Sequence, residues 1–163
     1  MPHIISIVGR SGSGKTTLIE RLLRHWGEGG LKIAIIKHMK HDFTVDTPGK
    51  DTFRYREAGA AASIITNDRD YAVMASNVDA LSPVDLAQRF FPAFDLVIIE
   101  GYKEGDITKI EVIGDSPEGP LDTSGVRNIT ALVTDTAVRD KRPVFRRDDI
   151  GGVARFIEEL WRA

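Results

Sequence analysis

Nine residues near the N-terminus, Gly9-Arg10-Ser11-Gly12-Ser13-Gly14-Lys15-Thr16-Thr17, carry the clearest chemistry in the chain. The first eight, Gly9 to Thr16, fit the pattern G-x-x-x-x-G-K-[ST] in full. Gly9, Gly12, Ser13 and Gly14 form a cradle in which main-chain N–H groups wrap a phosphate. A helix starting near Gly14 adds its positive end. Lys15 then reaches the β- and γ-phosphates, and the Thr16 hydroxyl binds Mg²⁺. The context supports the motif. "HIISIVG" before it is a β-branched run ending in glycine, and Leu18, Ile19, Leu22, Leu23 and Trp26 after it recur at helical spacing.

Such a loop needs a second acid on the metal side, at the end of a neighbouring strand. "DLVIIEG" supplies Glu100, where Asp is the usual residue. Glu100 either holds Mg²⁺ through water, orients an attacking water, or only caps the strand end. The chain shows no clear water-positioning Gln or arginine finger in cis, so slow nucleotide turnover is expected.

The segment "KHMKHDFTVDTPGKD" packs Lys37, His38, Lys40, His41, Asp42, Asp46, Lys50 and Asp51 into a loop after a strand. Three readings stand. It contacts the γ-phosphate or a substrate, it holds a transition metal through His38, His41 and Asp42, or it is a solvated loop. "GYKEG", with Tyr102 and Lys103, leaves the sheet at the same edge as the phosphate loop, which predicts a shared working surface. Arg54 and Arg56, and the cluster Arg139, Lys141, Arg142, Arg146 and Arg147, either clamp phosphates or form solvated faces.

These residues need a scaffold. "LKIAIIK" reads as a second buried strand, and Asp51 as the cap of a helix over 52–58 that Gly59 ends. "ASIITN" and "YAVMAS" read as a hairpin turning near Asp68, and "SPVDLAQRFF" as a helix with Pro83 in its first turn. "FDLVIIEG", "TKIEVIG" and a last strand, "NITALVTD", follow, with 114–128 as a surface excursion between the latter two. Ile150, Val153, Ile157, Leu160 and Trp161 line one face of a C-terminal helix. Trp26 and Trp161 read as packing. Strands apolar on both faces and alternating with helices give an α/β fold, a P-loop NTPase. Its sheet is mostly parallel, with helices on both faces and an antiparallel hairpin added to it.

Composition sets outer limits. The 163 residues read as one domain, 1–163. A net charge of −2 gives no global pull toward nucleic acid or anionic membrane. With no cysteine there is no disulfide, thiolate zinc site or Cys nucleophile. No apolar run reaches membrane length and the N-terminus lacks a signal-peptide pattern, so a cytoplasmic protein is expected.

The block "KH…H-D-F…D-T-P-G-K-D-T-F-R-Y-R-E-A-G-A", with the phosphate loop before it and "DLVIIEGYK…TKIEV" after it, resembles the MobB family of molybdopterin-guanine dinucleotide biosynthesis adapter proteins. The resemblance runs from the N-terminus to about Val112 and weakly to the end. It implies a GTP-binding homodimer, at most a slow GTPase, that assists a molybdenum cofactor guanylyltransferase in joining GMP to molybdopterin. On that resemblance Gly14, Lys15, Thr16 and Thr17 hold GTP, Glu100 is the metal-side acid, and His38, His41 and Asp51 match the family's loop. Lys40 stands where the family often has a further His. No N-K-x-D guanine signature is present, so Asp135, ending the last strand, is a candidate for reading the base. Two other classes remain open: a small P-loop kinase with "RDKRPVFRRDD" as its lid, and an NTP-driven metal-insertion chaperone.

Overall fold

A computed structural model describes residues 1–27, 29–77, 79–114 and 123–162. In chain order the elements are β1 (His3–Val8), α1 (Lys15–Gly27), β2 (Ile33–Lys37), α2 (Asp51–Glu57), β3 (Ala62–Thr66), β4 (Tyr71–Ala75), α3 (Pro83–Phe90), β5 (Leu96–Glu100), β6 (Thr108–Val112), β7 (Ile129–Val133), β8 (Val144–Phe145) and α4 (Ile150–Arg162). The chain divides into two compact units, Met1–His38 with Pro83–Ala163, and Met39–Ser82.

The larger unit is built on a six-stranded sheet of order β2-β5-β1-β6-β7-β8, and every pairing in it is parallel. Alternation along the strands sorts side chains to two faces. Ile5, Ile7, Leu96, Ile98, Ile110 and Val112 meet Leu18, Ile19 and Leu22 of α1 and Val153 and Ile157 of α4 on one face. Val97, Ile99 and Ala34 meet Ala87 of α3 on the other. Burial on both faces is why β5 reads as an unbroken apolar run. α1 starts at Lys15 and stops at Gly27, and Arg24 and His25 sit in its last turn, favourable at that end of the dipole. Asp149 Oδ1 accepts the Gly152 N–H at 2.9 Å, capping α4. Trp26 packs as expected and donates its indole N–H to Glu158 at 2.9 Å.

Several expectations are corrected. Among the described residues β2 lies at the sheet edge, paired with β5 alone, so Ile35 is exposed rather than buried. "NITALVTD" is not the last strand, because two residues of β8 add to β7. Proline at 143 and the basic residues around it hide so short a strand in the sequence. The expected 114–128 excursion falls mostly outside the described residues.

The smaller unit holds α2 and the antiparallel pair β3–β4. Among the described residues this hairpin forms a sheet of its own rather than extending the large one. Asp51 is the first helical residue, not the cap. Lys50 takes the cap position without a side-chain bond, and Asp51 pairs with Arg54 at 3.7 Å. Gly59 closes the helix at φ +104°, with its N–H on the Arg56 carbonyl. None of the unit's described residues is buried.

Candidate functional site

The parallel sheet brings the C-terminal ends of β1, β2, β5 and β6 to one edge, and the phosphate loop leaves β1 there. Ile7 and Lys37 are both in register with Glu100, and Val8 with Glu111. The loop is compact because Gly9 has φ +151° and no side chain. A Cβ at Gly9 would collide with the Val112 carbonyl and lie 2.6 Å from Ser13 Oγ. Lys15 Nζ bonds the Arg10 carbonyl at 2.6 Å and the Gly9 carbonyl at 3.2 Å. The Thr16 hydroxyl donates to Glu100 Oε1 at 3.1 Å, and Lys37 Nζ lies 3.9 Å from that same oxygen. Burial pushes the Lys15 ammonium below its ordinary value, opposed by Glu100.

This geometry fits a bound nucleoside phosphate with its cation. Lys15, Thr16 and Thr17 open α1, so their N–H groups have no acceptor within the helix. Ser13 Oγ is buried without a hydrogen-bond partner. Donors left without a partner are what an anion site requires. Thr16 and Glu100 are hard oxygen donors of the kind Mg²⁺ takes.

The loop after Glu100 is held by its neighbours. Ser6 Oγ reaches the carbonyls of Ile99 and Tyr102 at 2.9 and 2.7 Å. Lys109, fully buried in β6, donates to Gly105 and Ile107 carbonyls at 2.8 and 3.0 Å. That fixes Tyr102, whose ring meets His38 edge to face at 5.3 Å, and Lys103, whose charge acts on Lys15. His38 is further tied by its N–H to the Glu100 carbonyl at 2.9 Å. His41 and Asp51 belong to the smaller unit. Among the described residues no three His, Cys, Asp or Glu side chains converge to hold a metal.

Beyond the first turn of α1 lies a second feature, a cavity of about 280 Å³. Leu18, Val112 and Val133 are its apolar lining, and Thr17, Asp135 and Arg147 are among its polar lining. Asp135 Oδ1 accepts the Arg147 N–H at 3.1 Å, and Arg146 lies 4.0 Å from the same oxygen. Two of the five basic residues of this segment are paired with carboxylates. Arg142 grips Asp140 at 2.6 Å, and Arg146 pairs with Asp148 at 3.2 Å. Among the described residues, Arg147 is the member of the cluster that reaches the phosphate loop.

A family model described as molybdopterin guanine dinucleotide synthesis protein B matches residues 4–135. The chain belongs to this family. The molybdopterin-guanine dinucleotide biosynthesis adapter protein of Haemophilus influenzae is 35% identical over 95% of this chain and 87% of its own length. That of Escherichia coli K12 is 32% identical over 98% of this chain and 93% of its own length. A crystal structure of molybdopterin-guanine biosynthesis protein B superposes with a TM-score of 0.77 at 31% identity, covering 98% of this chain and 99% of that one. The matched span holds the phosphate loop, Glu100 and Asp135, and ends before Arg147.

Sequence reasoning missed Lys109 and Ser6, whose buried bonds set the loop after Glu100. The signal was present, since a lysine inside "TKIEV" has no solvent to face. It also left Arg21 unremarked, although its guanidinium bonds the Arg147 carbonyl at 3.4 Å.

Proposed function

We propose that this chain is a GTP-binding adapter of molybdopterin guanine dinucleotide biosynthesis, acting in the cytoplasm beside a guanylyltransferase and its molybdopterin substrate. Family membership supports the pathway, since the relatives' names state it. The observation that carries the nucleotide is the contact of Thr16 with Glu100 beside Lys15, at the mouth of a loop with spare donors. In this reading Gly9, Gly12, Ser13, Gly14, Lys15 and Thr17 hold the phosphates. Thr16 and Glu100 hold Mg²⁺, which screens the phosphate charge when bound. Asp135 accepts N–H groups from the guanine edge. Lys37 and Lys103 add positive charge where the terminal phosphate lies. Glu100 stands where Asp is usual, and in this reading turnover is slow without the partner.

A second copy of the chain is part of this proposal. Ile64, Val73 and Tyr71 form an exposed stripe on one face of the β3–β4 hairpin, and the unit that carries them has no buried residue among those described. Two strands alone are marginal in water.

The test is calorimetric titration of GTP and ATP in Mg²⁺, on wild type and Lys15→Ala. The variant should fold and lose about 2–3 kcal/mol, roughly a hundredfold in affinity. An unchanged dissociation constant would sink the nucleotide reading. Reconstitution with the guanylyltransferase then tests the adapter role.

A further inference from the structure

The candidate nucleotide site has charge at both ends, and Asp135 is not the sole charged side chain at the end away from Lys15. The charges acting on Lys15 are Glu100, Lys103 and Lys37. Arg147 stands at the other end. Its main chain is fastened on two sides, by its N–H to Asp135 and by its carbonyl to Arg21. Its guanidinium lies over the turn into α1 and donates from Nη2 to the Ser13 carbonyl. Two glycines leave the room for it. A Cβ on Gly14 would come within 2.9 Å of Arg147 Nη2, and one on Gly114 within 2.5 Å. The planar group thus fills a slot between the end of β6 and the start of α1, and forms a wall of the cavity that Val112 and Val133 also line. Among the described residues no carboxylate forms an ion pair with this guanidinium, whereas Arg142 and Arg146 are both paired.

We propose that Arg147 covers the purine in this cavity, its guanidinium plane lying on the base, so that it sets nucleoside affinity without holding the phosphates. The inference rests on the nucleotide reading and extends it past the family-matched span. Its chemistry is general. A guanidinium stacks on flat π-systems as an ammonium does not, and a cation over an aromatic face is attracted by the ring's quadrupole. Leu18, Val112 and Val133, themselves buried in the core, back the cavity, and Asp135 in the same cavity suits the N–H edge of a heterocycle.

The experiment uses the full chain in Mg²⁺ with three probes: GTP, GDP and inorganic tripolyphosphate, the last followed by displacement of a fluorescent GTP analogue. Arg147→Ala should weaken GTP and GDP alike by about tenfold and leave tripolyphosphate within about twofold. Arg147→Lys, which keeps charge and the capacity to donate, should recover less than half of that loss. Thermal melts confirm that each variant is folded, and Lys15→Ala, weakening all three probes, is the control. If tripolyphosphate weakens as much as GTP, or Arg147→Lys binds like wild type, the guanidinium is a charge contact and the stacking assignment falls. GTP binding unchanged in Arg147→Ala overturns this inference alone. Wild type that binds no GTP overturns the nucleotide reading and this inference with it.

Discussion

Burial holds the Lys15 ammonium below its ordinary value, Glu100 draws it up, and Lys103 and Lys37 press it down again. A bound phosphate adds negative charge beside it and favours the protonated form. The sign of the pH effect follows. Nucleotide binds tightest where Lys15 is already protonated in the free protein. Affinity falls as pH rises through that depressed value toward the ordinary lysine pKa of about 10.4. In the falling range binding takes up a proton. Calorimetry in buffers of different ionisation heats should record that uptake in wild type and not in Lys15→Ala. Uptake that persists in the variant would assign the titrating group elsewhere. Lys15 and Thr16 were legible in the sequence because their roles follow from a local spacing. Arg147 was one basic residue among five in its segment, and nothing local distinguished it. Its selection depends on Asp140 and Asp148 neutralising its neighbours and on two distant glycines leaving it space.

Among the elements, β6 does more than fill the sheet. Its Lys109 and the Ser6 of β1 stand in register and both reach main-chain groups of the segment that follows Glu100. Burial lowers the Lys109 ammonium from its usual range, with Asp106 opposing. Lys109→Met removes the donor to two carbonyls and should destabilise the protein by about 1–3 kcal/mol, read by urea unfolding. Wild-type stability should also rise with pH between the lowered folded value and the ordinary one. There the unfolded chain binds the proton and the folded chain does not. A variant as stable as wild type and equally pH-dependent would remove Lys109 from this role. The main elements were readable from periodicity: α1, β5 and α4 each show their spacing plainly. The hairpin strands were readable too, but not their independence from the large sheet, because sheet membership is decided by partners that local alternation does not name. The edge position of β2 was hidden for the same reason, since "IAIIK" is as apolar as the central strands.

At the scale of the molecule, the two units differ in what holds them. The larger one has two apolar layers around its sheet, and the smaller one has a helix of seven residues and two strands without a buried side chain among those described. If a second copy covers the hairpin, Ile64→Asp should leave the larger unit's fold intact and shift the species toward monomer, which sedimentation would read. A variant as associated as wild type would place the contact elsewhere. A further consequence follows for abundance. A segment completed by another copy of the same chain obeys mass action, so its folded fraction depends on chain concentration as well as temperature. At low copy number the sheet of the larger unit would stay ordered while the hairpin loses its cover, and the level of expression would itself become a control on whatever the smaller unit contributes.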